Sequence, residues 1–310
     1  MLAFKAAIKN LKNSLRVQTI RHSHEGGGSG GGCKPIPQAC GVCRRYVYMD
    51  PKCKIALVTG GTSGIGFAAA QELLCNGLDR VVITDMDANK GKSAVDSLNA
   101  QFGKNRACFL TLDTYEENNF YECLKTVLKI FGNVDIMVNT PGIPRNKSWQ
   151  EEINAHILST IRGTMIGTEI MSKQKLRPGG VIINVASAFA FDNYPSAPVF
   201  VSENNGIIGF SKSWGATPNY TNTKVRCVVI CPAAIDGIDL RNSLGISAGE
   251  PGKDSQNTSS TRSTSTSVGR GIVYCVQHAS SGTVWFVEGT GLFKAHIPDR
   301  LEYSQKIRYV

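Results

Sequence analysis

The chain has 310 residues, of which 42% are hydrophobic, enough for one large folded domain with an appendage. No apolar run approaches the roughly 18 residues that a bilayer-spanning helix needs, so the sequence predicts no membrane span. The formal net charge of +10 lies mostly in residues 1–54, which carry ten Lys or Arg and two acidic residues, and this argues against a nucleic-acid partner for the folded domain.

Residues 1–24 have the pattern of a basic amphipathic helix followed by hydroxyl and basic side chains. An apolar stripe lies beside a basic stripe, and the two consist of Phe4, Ile8, Leu11 and Leu15 and of Lys5, Lys9, Lys12 and Arg16. No acidic residue precedes Glu25, which is typical of a mitochondrial presequence rather than of a secretory signal. We therefore expect a mitochondrial protein. The alternative is a cytoplasmic protein whose first helix lies on an anionic membrane or on a partner.

A linker is predicted at residues 25–53. Its first part contains GGGSGGG, which has no side chains to bury and is expected to be flexible. Four cysteines then follow, at Cys33, Cys40, Cys43 and Cys53, and four thiolates can bind zinc. Only Cys40 and Cys43 have the CxxC spacing, and no second such pair follows. The sequence favours a reduced linker without metal, in which residues 44–48 pack on the domain, and a metal site is the alternative.

From residue 54 to residue 292, short β-branched runs alternate with helical stretches. Strands are predicted at 55–59, 80–84, 107–112, 135–139, 181–186, 225–230 and 283–287. Helices are predicted between them, at 64–76, 87–102, 115–131, 150–174, 197–215 and 271–278. Repeated βα units predict an α/β fold with a doubly wound, Rossmann-type parallel sheet in three αβα layers, forming a single domain after a disordered N-terminal leader.

Two segments are expected to lie outside the packed layers. Residues 243–268 are rich in Ser and Thr and poor in apolar residues, so a disordered loop is predicted there. Residues 293–310 are a predicted C-terminal tail. Within the apolar runs, Cys75, Cys227 and Cys231 are predicted to be buried free thiols.

The loop after the first strand has the pattern of a phosphate-binding turn. Residues 59–66 read TGGTSGIG, and these glycines let backbone amides approach a pyrophosphate at the N-terminus of the next helix. Asp85 ends the second strand, where a carboxylate accepts the ribose hydroxyls of adenosine and repels a 2′-phosphate. The positions that would have to supply a cation for that phosphate are occupied by Ser63, Met86 and Asp87. NAD(H) is therefore favoured over NADP(H), and a turn that serves packing alone is the alternative.

Several motifs together resemble those of the short-chain dehydrogenase/reductase family, and within it the NAD-dependent hydroxyprostaglandin dehydrogenases and the insect alcohol dehydrogenases. They are TGGTSGIG, Asp85, Asp113 after the third strand, Asn139-Thr140-Pro141-Gly142, and Ser187 in NVASA. The resemblance implies NAD as cofactor and a homodimer or homotetramer formed through helices 150–174 and 197–215. The cofactor-binding positions that it implies are Gly60, Thr62, Ser63, Gly64, Ile65, Gly66, Asp85, Asp113, Asn139, Gly142, Asn204 and Pro232.

The resemblance also implies where catalytic residues would stand. In this family a Tyr moves the alcohol proton, a Lys four residues later lowers the pKa of that Tyr and holds the ribose, a Ser bonds the carbonyl, and an Asn anchors a relay water. The matching positions here are Phe200, Asn204, Ser187 and His156. Phe has no ionisable hydrogen and Asn has no charge, so the acid-base step is expected to be lost. Ser187 is then either a remnant of the family site that contacts a ligand oxygen, or a hydroxyl that lies near the helix and has no role toward a ligand.

The sequence thus favours an NAD(H)-binding, dehydrogenase-like protein that lacks ordinary dehydrogenase activity. One alternative is an active NAD-dependent oxidoreductase of a secondary alcohol or hydroxy-lipid, in which His156 or Tyr194 is a rearranged proton donor. A His on an amphipathic helix is more often packed and hydrogen-bonded, and Tyr194 has no cation beside it in the sequence. A second alternative is a structural subunit without nucleotide. The ligand is not specified by these residues.

Overall fold

The computed structural model of the protein describes residues 46–140, 142, 148–192, 194–237, 262–298 and 302. The predicted presequence, the cysteines at 33, 40 and 43, and most of the predicted loop 243–268 lie outside the described residues. Within the described ranges, no helix is long and apolar enough to cross a membrane. In the same ranges no group of three or more His, Cys, Asp and Glu side chains is arranged to hold a metal ion.

The core of the described chain is one eight-stranded sheet. Its strands are β1 (Ile55–Thr59), β2 (Arg80–Asp85), β3 (Ala107–Thr111), β4 (Ile136–Asn139), β5 (Gly180–Val185), β6 (Val225–Pro232), β7 (Val284–Glu288) and β8 (Gly291–Lys294). The strand order is β3-β2-β1-β4-β5-β6-β7-β8, and β1 to β7 pair in parallel. The order reverses between β1 and β4, which confirms the predicted doubly wound fold and leaves a crevice at their carboxyl ends.

Helices cover both faces of this sheet. They are α1 (Gly64–Cys75), α2 (Ala88–Phe102), α3 (Glu117–Phe131), α4 (Trp149–Ile153), α5 (Ser159–Met171), α6 (Pro198–Trp214), α7 (Thr217–Thr223) and α8 (Ser265–His278). A π-helical turn, Asn154–Leu158, joins α4 to α5, and 3₁₀ turns occupy Lys173–Lys175 and Ala188–Phe191. The three αβα layers that the sequence predicts are therefore present.

Side-chain alternation along β1 shows how the layers form. Ala56 and Val58 pack in the cluster that contains α1 and α8, whereas Leu57 packs in the cluster that contains α3 and α5. Successive residues of a strand face opposite sides of the sheet, so one buried strand serves both cores. On the first side, a Cβ on Gly269 would lie 2.7 Å from the carbonyl oxygen of Ala68, and this glycine therefore allows α1 and α8 to pack closely.

Four features differ from the predicted elements. The predicted helix 150–174 is divided into α4, the π-helical turn and α5, which ends at Met171. Helix α8 begins at Ser265 rather than at residue 271, because the Thr264 hydroxyl accepts from the Ser267 amide at 3.0 Å and caps the helix. The predicted loop 243–268 therefore does not extend to its predicted end. Strand β8 pairs antiparallel with β7 and includes the first residues assigned to the C-terminal tail. The short helix α7 was not among the predicted helices.

The cysteine predictions have different outcomes. Cys227 and Cys231 are buried free thiols as predicted, and burial raises the pKa of Cys227 to about 12. The prediction for Cys75 is wrong, because this residue is disulfide-bonded. It is only half-buried at the end of α1, so a second thiol can reach its sulfur. Cys53 is a free and exposed thiol.

The end of the predicted linker packs on the domain. The Tyr48 amide donates to the carbonyl oxygen of Gln277 at 2.7 Å, near the end of α8. Lys52 forms an isolated antiparallel bridge with Leu78. Residues 46–52 therefore run along the domain before β1 begins.

Candidate nucleotide-binding and active site

A cavity of about 280 Å³ opens at the point where the strand order reverses. Its walls come from the carboxyl ends of β1, β2 and β4 and from the start of α5, and they include Gly60, Asp85, Leu112, Asn139, Thr140, Gly142, Ala155 and Ser159. This is where open α/β sheets bind their ligands. The structure thus brings together the predicted Gly60, Asp85, Asn139 and Gly142.

The glycine-rich turn between β1 and α1 leaves its backbone open toward this crevice. Gly60 and Gly64 have φ angles of +58° and +54°, which favour glycine. A Cβ on Gly66 would lie 2.3 Å from the carbonyl oxygen of Gly60, so the turn is also closely packed. A Cβ on Gly64, by contrast, would meet no described atom within 4 Å. Space for a ligand therefore adjoins the first turn of α1.

The first turn of α1 has the electrostatic character of an anion site. Ser63 is the N-cap residue, but its side chain makes no capping hydrogen bond, and the first turn contains no acidic residue. The amides of that turn are thus left for another acceptor, and the helix dipole favours a negative one. Ile65 lies in the same turn. These residues fit the pyrophosphate of a dinucleotide.

Asp85 is held by the turn that it faces. Its Oδ2 accepts a hydrogen bond from the Thr62 hydroxyl at 2.5 Å, and its Oδ1 accepts from the Met86 amide at 2.8 Å. The half-buried carboxylate therefore lies beside both the glycine-rich turn and the cavity. It is in place to accept hydroxyl groups of a ribose.

A basic residue that the sequence pattern did not indicate lies nearby. Lys90, in the first turn of α2, lines a second hollow together with Thr62 and Ser63. Its Nζ lies 3.8 Å from Oδ2 of Asp87, which offsets its charge. Hydrogen bonds from the Lys90 and Asn89 amides hold the pKa of Asp87 below its usual value, so this acid stays ionised. Lys90 lies about one helical turn beyond the positions where a cation for a 2′-phosphate is expected.

The remaining predicted cofactor positions are spread around the crevice. Asn139 is buried, and its Nδ2 donates to Oδ1 of Asn184 at 2.8 Å. Asp113 accepts from the Tyr115 amide at 2.9 Å, which closes its own turn. Pro232 is buried at the end of β6, paired with Val287. Neither Asp113 nor Pro232 is among the described residues that line the cavity.

Ser187 has a local role in the structure. It is the N-cap of the 3₁₀ turn Ala188–Phe191, and its Oγ accepts from the Phe189 amide at 3.3 Å. The side chain is only partly buried. Its position after β5 is that of the serine which the resemblance implies, and the hydroxyl hydrogen is left to donate elsewhere.

Phe200 and His156 form a stacked pair between α6 and the π-helical turn. Their ring centroids lie 5.8 Å apart, with planes inclined by 7°. His156 is 5% exposed and Phe200 is 4% exposed. Nδ1 of His156 lies 3.0 Å from Oε2 of Glu203, itself 2% exposed. The prediction that His156 is a packed, hydrogen-bonded side chain is therefore confirmed, but its partner Glu203 was missed. Position 203 gave no sequence signal, since a single Glu on a helix is ordinarily solvated.

Asn204 is fully buried one turn after Phe200. Its Nδ2 donates to the Phe200 carbonyl oxygen at 2.7 Å. A carbonyl can only accept, so this bond fixes the amide orientation and makes Oδ1 the free end. Asn154, two residues before His156, is paired differently, because its Oδ1 accepts from Nη1 of Arg162 at 2.7 Å.

Four buried side-chain oxygen atoms on β4, α4 and α6 have no hydrogen-bond partner within the described structure. They are Oδ1 of Asn139, Oε1 of Glu152, Oε1 of Glu203 and Oδ1 of Asn204. Burial raises the pKa of Glu152, and the charge of Glu203 raises it further, whereas His156 lowers it. Buried polar atoms are ordinarily paired, so a group of unpaired acceptors indicates a ligand or water that donates hydrogen bonds.

Comparisons with known proteins agree with this geometry. A family model described as short chain dehydrogenase matches residues 54–246. Mouse 15-hydroxyprostaglandin dehydrogenase [NAD(+)] (Mus musculus) is 34% identical over 183 residues, which is 59% of this chain and 68% of that protein. The human protein of the same name (Homo sapiens) is 32% identical over 197 residues, covering 62% and 74%.

More distant relatives show the same relationship. Alcohol dehydrogenase 1 of Ceratitis cosyra is 27% identical over 192 residues, covering 62% of this chain and 73% of that protein. A crystal structure of a short chain dehydrogenase from Mycobacterium smegmatis superposes with a TM-score of 0.63 at 19% identity, covering 77% of this chain and 93% of that one. The family model covers more than half of the chain, and the sheet has the matching topology. The chain therefore belongs to the short-chain dehydrogenase family.

Proposed function

We propose that this protein binds NAD(H) in the crevice between β1 and β4 and does not carry out the tyrosine-dependent oxidation of alcohols. The observation that carries the proposal is the buried Phe200, which stacks on His156 where the resemblance implies a catalytic Tyr. Four residues later, the buried Asn204 supplies no cation. A phenol has a reference pKa of about 10 and needs a nearby positive charge to act as a base at neutral pH. Here both the phenol and the positive charge are missing from these two positions.

Three features support nucleotide binding. The first turn of α1 has amides without a side-chain cap, the cavity at the crevice reaches Asp85, and the glycine-rich turn leaves open space at Gly64. The nucleotide supplies hydride chemistry when bound. This chain would bind its pyrophosphate through backbone amides and its adenosine ribose through Asp85. NAD(H) is favoured over NADP(H), because Asp85 repels a 2′-phosphate and Asp87 offsets the charge of Lys90.

Millimolar NADH is expected to raise the melting temperature. A ligand that binds only the folded state at about 100 times its Kd contributes about 2.7 kcal/mol, which corresponds to roughly 5–10 °C for a domain of this size. Thermal unfolding with NADH, NAD⁺ and NADPH measures this, and NADPH is expected to give the smallest shift. Asp85→Asn should reduce the NADH shift, whereas the exposed Asp79→Asn should not. No shift with any nucleotide would favour a structural subunit instead.

A second candidate is an oxidoreductase of a secondary alcohol or hydroxy-lipid with a rearranged proton donor. It is favoured by the contact between Nδ1 of His156 and Glu203, because a carboxylate that orients an imidazole is a common support for a general base. In that case His156 would hold the proton that Phe200 cannot. Against it, His156 is 5% exposed and stacks on Phe200. We therefore rank it second.

We also propose self-association through α4, α5 and α6. Trp149, Leu158 and Met165 are exposed large apolar side chains on the first two of these helices and the turn that joins them. Their exposure supports a homodimer or homotetramer, since apolar surface of this kind is favourably buried between copies.

The leader is proposed to direct the protein to mitochondria. Residues 1–24 fused to a fluorescent protein are expected to bring it to mitochondria in cells, because a basic amphipathic helix without acids suits import. Fluorescence microscopy checks this. A matched fusion in which Lys5, Lys9 and Lys12 are each replaced by Glu should stay in the cytosol, and the same mitochondrial signal from both fusions would contradict the proposal.

A further inference from the structure

A cluster of two carboxylates and one imidazole adjoins Phe200, on which its imidazole stacks. It consists of Glu152 from α4, His156 from the π-helical turn and Glu203 from α6. Oε2 of Glu203 contacts His156 at 3.0 Å, while Oε1 of Glu203 and Oε1 of Glu152 are buried without a partner in the described structure. Within the described residues, His156 is the one cation-forming side chain that pairs with Glu203. The cluster therefore contains two acids and one base.

Asn204 also makes the region of this cluster less positive than a lysine at the same position would. The family's lysine at this position would carry a positive charge, whereas Asn204 is neutral and is fixed with Oδ1 as its free, buried end. That atom can only accept a hydrogen bond or approach positive charge. Glu203 is the preceding residue of α6, so Glu203 and Asn204 lie on the same turn of a helix that is about 10 Å across. Compared with a site that has the lysine, this one lacks a cation and holds a buried acid.

We propose that this site binds the oxidised dinucleotide, NAD⁺, more tightly than NADH. The proposal rests on the proposed nucleotide binding and names its preferred form. NAD⁺ carries a positive charge on the nicotinamide ring, which NADH lacks, while the rest of the molecule is the same. Negative charge at Glu203, no longer balanced by a lysine, therefore stabilises one form and not the other.

The expected preference is about tenfold. One unit charge acting over about 10 Å at an effective dielectric constant of about 20 changes an affinity roughly tenfold. The preference is thus in the range that a direct titration resolves.

The experiment is isothermal titration of the full chain with NAD⁺, NADH and ADP-ribose. In the unchanged protein, the Kd for NADH should exceed the Kd for NAD⁺ about tenfold. Glu203→Gln keeps the shape and removes the charge, so it should bring the two Kd values together while leaving the Kd for ADP-ribose, which has no nicotinamide, unchanged. Asn204→Lys should also lower the ratio. Glu169→Gln, on the exposed part of α5, is the matched control and should preserve the ratio.

Each outcome bears on the proposal. Equal affinities, or tighter binding of NADH, by the unchanged protein overturn this proposal alone. An unchanged ratio in Glu203→Gln overturns the assignment to the buried carboxylate, and if that variant does not fold, an unchanged ratio in Asn204→Lys overturns the assignment instead. Absence of binding by all three ligands overturns the proposed function and this proposal with it.

Discussion

Replacing Phe200 by Tyr and Asn204 by Lys together is expected to produce NAD-dependent oxidation of secondary alcohols at about 10²–10⁴ times the rate of the unchanged protein, the range that general acid-base catalysis supplies. The tyrosine restores a proton carrier, and the lysine lowers the pKa of that phenol toward neutrality. Glu203, one residue before the new lysine, offers it a counter-charge. The measurement is NADH formation, followed by absorbance, with a panel of secondary alcohols.

The single variants are the matched controls. Phe200→Tyr alone should give little activity, because its phenol stays near a pKa of about 10, and Asn204→Lys alone has no proton carrier. The gain is therefore expected to be strongly non-additive. If the unchanged protein already oxidises these alcohols and the double variant is no faster, then the proposed loss of turnover is wrong. His156→Gln in the same assay then decides whether the imidazole carries the proton, since it abolishes the activity only in that case.

The sheet and most of its helices follow from local sequence patterns. Strand β1 occupies the predicted residues 55–59, and β3 ends within one residue of its predicted end. Buried β-branched runs separated by helical stretches leave few arrangements other than a doubly wound sheet. The glycine-rich turn and Asp85 were predictable for the same reason: each follows a strand directly and depends on backbone conformation near it in the chain.

Features that depend on distant contacts were not predictable in this way. Glu203 is buried only because α6 packs beside the π-helical turn, which places His156 opposite it, and no local pattern marks either event. Lys90 reaches the region of Thr62 across the gap between two helices. The early start of α8 depends on a Thr264–Ser267 cap within a segment whose composition predicts disorder. For Glu203 and Lys90, tertiary placement outweighs residue type, whereas the start of α8 depends on a local cap that outweighs the composition of the segment.

Arg226 presents the clearest large stability effect. Its guanidinium, 3% exposed on β6, donates to three carbonyl oxygens at the end of α8: Ala279 at 2.5 Å, Val276 at 2.6 Å and Cys275 at 3.2 Å. The Val276 and Ala279 carbonyls are among those at a helix end that ordinarily lack a partner within the helix, whereas the Cys275 carbonyl also accepts from the Ala279 amide at 3.1 Å. The Tyr48 ring covers the guanidinium, with its centroid 4.9 Å from Cζ. Burial lowers the pKa of Arg226 to about 10, which still leaves it charged at neutral pH.

Arg226→Met is expected to reduce the free energy of unfolding by about 2–4 kcal/mol, because it leaves buried carbonyls without a charged donor. Urea unfolding measures this loss. Arg226→Lys should retain part of the stability, since an ammonium keeps the charge but not the planar fork that spans three acceptors. The matched control is Arg177→Met, which removes a single guanidinium contact to the Gly132 carbonyl in a more exposed place and should cost no more than about 1 kcal/mol. Similar losses in the two methionine variants would show that Arg226 does not fasten α8 to the sheet. Because the Tyr48 amide and ring also meet this corner, the loss should be accompanied by earlier proteolysis within residues 46–52.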